Sequence, residues 1–259
     1  MAHRLLYDQL TAIYDHTFDV AVFSGRKGRG LNKALKQTQS LLQKYPTAYI
    51  FRADIKKAFE YINHATLLNL LQQKLPTHPD GDFYLKLCHE VIASFCANTA
   101  TTATDPVAPP RGIPIGNLTS QIFSLIYLNE LDRFIRQVIK PLAYLRYGDD
   151  FIVFLPTRPQ ADAAQAQITD FLAQGLKMSL NPKNTIIIKA GQGLHFLGHL
   201  ITKNTLKVDR TTTAKIRQKV NFRNLASYKQ LLLPTEVKDA LDHQVLAQIT
   251  SEITKTLDF

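Results

Sequence analysis

Three acidic residues stand where strand-forming runs stop. Asp54 closes the apolar run Tyr49-Ile50-Phe51-Arg52-Ala53, and Asp149-Asp150 follow Gly148 between two further runs, Ala143 to Tyr147 and Phe151 to Leu155. If these runs pair in one sheet, three carboxylates meet at its end and repel one another. Such a cluster is tolerated when it holds hard divalent cations, and two Mg2+ roughly 3.5–4 Å apart would activate a hydroxyl and stabilise a leaving phosphate oxygen. That is the chemistry of nucleotidyl transfer. The plainer reading is that Gly-Asp-Asp is a good turn and Asp54 a strand terminator, because either motif alone is too short to specify chemistry.

The elements that would position these carboxylates are legible from periodicity. Asn63 is a candidate cap for a helix carrying Leu67, Leu68, Leu71 and Leu75 at helical spacing. Phe83, Tyr84, Leu87, Cys88, Val91, Ile92 and Phe95 fall on one face of a second helix, which makes Cys88 a small core hydrophobe. The Thr-, Ala- and Pro-rich stretch from Asn98 to Arg111 reads as a loop. Thr119 or Ser120 is expected to cap a long helix through Ile122, Phe123, Ile126, Leu131, Phe134 and Ile135, ended by Pro141. The Gly148-Asp149 break predicts a hairpin. A helix near Gln160 to Ala173, a short segment through Ile186-Ile187-Ile188, a hairpin around Gly198 and a C-terminal helical region follow. The pattern predicts an α+β fold, with helices backing a mostly antiparallel sheet.

The 259 residues are 45% hydrophobic and 20% charged, which excludes disordered, collagenous and disulfide-scaffold classes. Lys and Arg (31) exceed Asp and Glu (21), a net charge of +10 that favours a polyanionic partner. No apolar run suits a bilayer span, and the start Met1-Ala2-His3-Arg4-Leu5-Leu6-Tyr7-Asp8 lacks the apolar core of a secretory signal, so a cytoplasmic protein without a membrane partner is expected. Nucleic acid becomes the favoured polyanion. The two cysteines, Cys88 and Cys96, form no Cys-x-x-Cys, and His195 and His199 flank Phe-Leu-Gly without a third ligand, so a zinc site is not expected.

Two basic features fit a nucleic-acid partner. Arg26, Lys27 and Arg29 interleave with Gly25, Gly28 and Gly30, so the backbone could approach an anion while cations pair with phosphate oxygens. Lys215, Lys219 and Arg223 recur every four residues, with Arg217 close by, after a candidate cap at Asp209 or Thr211. Each has a bland alternative, a solvated loop and a solvated helix face; the basic balance of the chain favours a helix that follows a template-primer backbone.

Six motifs in order make the sequence resemble the reverse transcriptase family along almost the whole chain. Phe51-Arg52-Ala53-Asp54-Ile55-Lys56-Lys57-Ala58-Phe59-Glu60 resembles the first palm motif, and Arg111-Gly112-Ile113-Pro114-Ile115-Gly116-Asn117-Leu118-Thr119-Ser120-Gln121 the second. Tyr147-Gly148-Asp149-Asp150 is similar to the Tyr-x-Asp-Asp hairpin, and Ser24 to Gly30 to a fingers motif shared with group II intron proteins. Leu180-Asn181-Pro182-Lys183 and Phe196-Leu197-Gly198 resemble the last palm motif and the primer grip.

The resemblance implies a right-hand polymerase: partial fingers (1–47), palm with fingers elements (48–201) and a small helical thumb (202–259). Relatives usually carry a further basic fingers motif before the point where Met1 stands, hence "partial". It implies RNA-directed DNA synthesis from a primer 3′-OH with dNTPs, and two Mg2+ ions, with Mn2+ as a substitute, held by Asp54, Asp149 and the Ile55 carbonyl and supported by Asp150. Arg26 would serve the triphosphate, Lys183 is the candidate proton donor to the leaving pyrophosphate, Phe59 would exclude a 2′-hydroxyl, and Ile115 and Gly116 would border the nucleotide. Lys27, Arg29, Gln121, Phe196, Gly198, Lys215, Lys219 and Arg223 would face template or primer. One departure bears on the proton donor: related sequences often place Lys directly before the Thr of the last palm motif, where this chain has Asn184 before Thr185.

The Ile-Gly-Asn-Leu-Thr-Ser-Gln form of the second motif most resembles diversity-generating retroelement enzymes and some defence-associated or retron-like bacterial relatives. Ile115 stands where retroviral enzymes carry a Gln that touches nucleotide and template, so an error-prone enzyme is expected; the alternative is that Ile115 simply packs. A small basic accessory protein is a further expected partner. A catalytically weak RNA-binding palm scaffold is the alternative of another class, and a palm-fold nucleotide cyclase would need a Gly-Gly-Asp-Glu-Phe loop that this chain lacks.

Overall fold

The apolar runs beside the acidic residues pair as one antiparallel sheet. The structure, a computed structural model, describes residues 2–95, 110–114 and 116–219. In chain order the first half forms α1 (Ala2–Tyr14), α2 (Leu31–Lys44), β1 (Tyr49–Asp54), α3 (Ala58–Tyr61), α4 (His64–Gln72) and α5 (Gly81–Ala93). The second half forms α6 (Leu118–Phe134), β2 (Ala143–Tyr147), β3 (Asp150–Leu155), α7 (Arg158–Gly175), β4 (Ile186–Lys189), β5 (Leu194–Phe196), β6 (His199–Ile201), β7 (Leu206–Val208) and α8 (Arg210–Lys219). The α+β expectation is met. None of the described helices is long and apolar enough to cross a membrane.

The chain folds into two compact units. The first takes the described residues of Met1–Arg29 and Tyr49–Ile187, the second those of Gly30–Ala48 and Ile188–Phe259. The segment 1–47 is therefore divided at Arg29/Gly30.

In the first unit the strand order is β2-β3-β1-β4. Both β1 and β2 run antiparallel to β3, with Phe51 opposite Val153, Ala53 opposite Phe151 and Leu145 opposite Ile152. Alternation sends Phe51, Ala53, Phe151 and Val153 into one core with residues of α1, α4 and α6. Apolar residues occur all round α6, and a helix without a polar face belongs in the interior; accordingly Ile122, Phe123, Ile126, Tyr127 and Leu131 are all nearly solvent-free.

Local signals explain most boundaries, and two expectations need correction. Asn63 caps α4, its side chain accepting from Thr66 N–H at 2.9 Å. The helix expected near 160–173 is α7, capped by Thr157 with Pro159 in its first turn. In contrast α6 starts after Asn117, and neither Thr119 nor Ser120 caps it; both are buried inside the first turn, where Thr119 Oγ1 meets His3 Nδ1 at 2.9 Å. The helical run does end directly before Pro141, as expected: a π-helical turn, Ile135–Ile139, carries it to Lys140 at φ 50°. On α5, Cys88 is buried as expected, whereas Phe83 is 58% exposed although its spacing put it on the core face. Cys96 and residues 98–109 of the expected loop lie outside the described residues.

The second unit joins α2 to the three-stranded antiparallel sheet β5-β6-β7. Gln39 Nε2 donates to Thr202 O at 3.3 Å and Gln43 Nε2 to Lys203 O at 2.8 Å, tying the helix to the β6–β7 turn. The hairpin expected around Gly198 is β5–β6. Asp209 caps α8, Oδ1 accepting from Thr212 N–H at 2.7 Å.

Candidate active site

Strand register brings the first and third acidic positions together. Asp54, the last residue of β1, is the direct partner of Asp150, the first residue of β3, and Ile55 N–H donates to Asp149 O at 3.1 Å. Gly148 holds φ 67° in the turn between β2 and β3, a backbone state that Gly adopts without the penalty a Cβ would bring. Directly opposed residues of an antiparallel pair share one face of the sheet. Arg52, two residues before Asp54, therefore sits on that face too, and its Nη2 lies 3.5 Å from Asp150 Oδ1.

The carboxylates have few compensating donors. Asp54 Oδ2 accepts from Asn184 Nδ2 at 3.1 Å and Asn181 Nδ2 at 3.4 Å, while its Oδ1 is buried with no hydrogen-bond partner. Asp150 Oδ1 is likewise buried and accepts no hydrogen bond. Burial, and then the charges of Asp149 and Asp54, push the Asp150 carboxyl up to about 6 against the pull of Arg52. Asp149 is raised as well, by burial and by Asp54, with Arg146 acting the other way. An acidic pair destabilised in this fashion would gain from a cation.

Behind the hairpin lies a fully compensated acid. Asp132, on α6, accepts from Tyr144 Oη at 2.6 Å, Arg146 Nε at 2.7 Å and Arg146 Nη2 at 2.5 Å. The remaining guanidinium nitrogen, Nη1, donates to Gly148 O at 2.9 Å and so reaches the turn that carries Asp149. Both charged side chains are 1% exposed. Sequence reading missed this pair, and its one signal was an Arg inside an otherwise apolar strand.

The segment resembling the second motif docks on the residues that follow Asp54. Ile113 N–H donates to Phe59 O, and Gly112 N–H to Ile62 O, each at 2.8 Å. Phe59 itself is partly buried against the core. Gly116 adopts φ 96°, Gln121 is exposed on α6, and Ile115 lies outside the described residues.

The basic glycine loop is already engaged with protein. Arg26 is 9% exposed: Nε pairs with Asp15 Oδ1 at 2.8 Å, Nη1 donates to Asp19 O at 2.8 Å and Nη2 to Asp15 O at 3.0 Å. Arg29 lies over the Phe23 ring and donates to Val20 O, whereas Lys27 and Lys183 are exposed. In the second unit Phe196 is buried and Gly198 follows it in the β5–β6 turn. Lys215 and Lys219 fall within α8; Arg223 lies outside the described residues.

No group of three or more His, Cys, Asp or Glu side chains forms a ready metal cage among the described residues. The residues that the resemblance points to for a divalent cation are not such a preformed cage: Asp54 and Asp149 with the Ile55 carbonyl, and Asp150, the strand partner of Asp54. Oxygen donors suit Mg2+, which retains much of its water and takes one or two carboxylates from a protein. The buried Asp54 Oδ1 without a donor is the atom such an ion would satisfy.

The model of the reverse transcriptase (RNA-dependent DNA polymerase) family matches residues 2–201. The group II intron-encoded protein LtrA of Lactococcus lactis subsp. cremoris is 24% identical over 292 aligned positions, covering 88% of this chain and 46% of LtrA. Protein YkfC of Escherichia coli K12 is 22% identical, covering 90% of this chain and 68% of YkfC. This chain thus spans about half the length of LtrA. Among solved structures, apo telomerase from Candida tropicalis superposes with a TM-score of 0.59 at 15% identity, over 89% of this chain and 44% of the telomerase chain, which is a likeness of fold. With residues 2–201, more than three quarters of its length, inside that one family model, the chain belongs to the reverse transcriptase family.

Proposed function

We propose that this chain is an RNA-directed DNA polymerase that extends a primer on an RNA template. The observation that carries the proposal is the register of Asp54 with the Asp149-Asp150 hairpin, Asp54 Oδ1 and Asp150 Oδ1 both being buried without a hydrogen-bond donor. In the reaction the primer 3′-oxygen attacks the α-phosphorus of a dNTP, the bond to pyrophosphate breaks, and the 3′-hydroxyl proton is lost. Asp54, Asp149 and the Ile55 carbonyl would hold two Mg2+ ions, which lower the pKa of the attacking hydroxyl and offset charge on the phosphates. Asp150, drawn toward Arg52, supports the pair. RNA as template is supported by the family, and by a telomerase of the same fold solved with a fragment of telomeric RNA.

Other roles complete the proposal. Phe59, fixed through its carbonyl to the segment of the second motif, excludes a 2′-hydroxyl by contact. Arg26 serves the triphosphate by exchanging Asp15 for phosphate oxygens, while the exposed Lys183 offers its ammonium directly. Gln121, Lys27 and Arg29 in the first unit would face template or primer, as would Gly198 and the basic residues of α8 in the second; Phe196 is buried and so corrects the expectation that its ring touches nucleic acid. Ile115, apolar where a Gln would reach the nascent pair, makes copying error-prone in the manner of a diversity-generating retroelement enzyme, working with a small basic accessory protein.

The test is Mg2+-dependent dNTP incorporation on an RNA template annealed to a DNA primer. Incorporation by the wild type that disappears in Asp149→Ala/Asp150→Ala establishes the polymerase. A folded wild type that binds the RNA but incorporates nothing overturns it in favour of an RNA-binding scaffold.

A further inference from the structure

We propose that Asn184, assisted by Asn181, is a positioning residue that holds the Asp54 carboxylate by one oxygen and so presents the other to a divalent cation. The proposal rests on the polymerase reading of the site and adds to it a residue that the acidic motifs do not contain.

Asp54 Oδ2 receives two amide donors, Asn184 Nδ2 at 3.1 Å and Asn181 Nδ2 at 3.4 Å, and Oδ1 receives none. The amide orientations are fixed by chemistry. A carboxylate only accepts, so each amide must turn its nitrogen toward Asp54. For Asn181 the opposite end agrees, because its Oδ1 accepts from Lys183 N–H at 3.2 Å.

The segment that carries both amides is tied to the end of β1 by main chain. Lys56 N–H donates to Ser179 O and Asn181 N–H to Asp54 O, each at 2.9 Å, and Ile55 bridges Leu180. Within the segment Asn184 N–H donates to Asn181 O at 3.1 Å, and Thr185 Oγ1 donates to the same carbonyl at 2.8 Å. The two amides are thus held in place before any ligand arrives.

Neutral donors matter here. An amide fixes the carboxylate rotamer and leaves its full negative charge for a cation, whereas a cationic side chain at the same place would compete for it. Partners that orient a metal ligand are typically worth 10–100-fold in metal affinity.

The experiment measures Mn2+ binding to the full chain by electron paramagnetic resonance, for wild type, Asn184→Ala, Asn184→Asp and Asp54→Asn, alongside melting of each protein in chelator. We expect Asn184→Ala to raise the Mn2+ dissociation constant about 10- to 100-fold with a metal-free melting point close to that of the wild type. In primer extension the same variant needs more Mg2+ and regains most of its kcat at saturating metal. Asn184→Asp, which keeps the side-chain volume but replaces the donor with a second negative charge, loses the hold on Oδ2 and shows altered affinity even if Asn184→Ala folds poorly.

Wild-type Mn2+ affinity in both variants at position 184, with Asp54→Asn impaired, overturns this proposal alone. Unchanged affinity in Asp54→Asn overturns the metal reading beneath it. Failure of both position-184 variants to fold makes the residue structural and also overturns the proposal.

Discussion

Asp132 and Asp54 lie in the same unit and are treated in opposite ways. Asp132 is sealed from solvent and accepts three hydrogen bonds, two of them from the guanidinium of Arg146. Asp54 has two neutral amides on one oxygen and no donor on the other, with Asp150 as its strand partner. The first arrangement is closed: removing either partner leaves a buried charge. The second is open, because like charges collect at a strand end with too few donors to satisfy them. On the proposed reading, the carboxylate kept for architecture is neutralised on the spot, whereas the one that would hold a cation is left short of partners. Through Arg146 Nη1 and Gly148 O the closed acid also steadies the turn that carries the open ones.

The contrast can be broken most severely at the open end. Asp149→Asn is expected to lower primer extension by about 10⁴-fold, equivalent to ~5.5 kcal/mol of transition-state stabilisation, in single-turnover assays. Its metal-free melting point should stay level or rise, because the substitution removes a repulsive charge beside Asp54. Next in size is the closed end. Asp132→Ala leaves Arg146 buried without its carboxylate and should destabilise the protein by about 3–5 kcal/mol in urea unfolding. A loss below 1 kcal/mol would show that the buried pair is not doing what its geometry implies.

The pH dependence of the metal-free protein sharpens the same contrast. A carboxyl held above its ordinary value by folding contributes stability in its protonated form, fully present below about pH 4. For Asp150 that contribution is lost as pH rises through about 6. Melting in chelator should therefore fall between pH 4 and 7 by an amount worth up to about 3 kcal/mol, and Asp150→Asn should flatten this part of the profile. The smallest expected effect is at Tyr144: the Phe variant removes one of three donors to Asp132 and should cost about 1 kcal/mol, read by the same unfolding assay.

Much of the open site was legible in the sequence and almost none of the closed one. The apolar runs around Asp54 and Gly148-Asp149-Asp150 announce strands ending in acids, since period and turn chemistry are local properties. Asn63 as a helix cap was readable for the same reason. Arg146 gave a single sign, a charge in an apolar strand, and nothing nearby in the sequence pointed to Asp132 on α6 as its partner. Arg26 looked like a free cation among glycines, yet Asp15 and backbone carbonyls engage it. Asn184 was visible only as a departure from a familiar Lys; its bond to Asp54 joins residues far apart in sequence and appears only once the 179–185 segment bridges the end of β1. The start of α6 was misplaced because Thr119 and Ser120, good caps by type, are buried where the chain has already turned helical.

If a divalent cation completes the strand-end acids, Mg2+ must stabilise the folded chain through Asp54. Thermal melting of the wild type and of Asp54→Asn across a Mg2+ titration from chelator to millimolar tests it directly. The wild-type midpoint should climb with Mg2+, as a ligand specific to the folded state requires, and the variant midpoint should start level or higher and not climb. A wild-type midpoint indifferent to Mg2+, or an equal climb in both proteins, would contradict it.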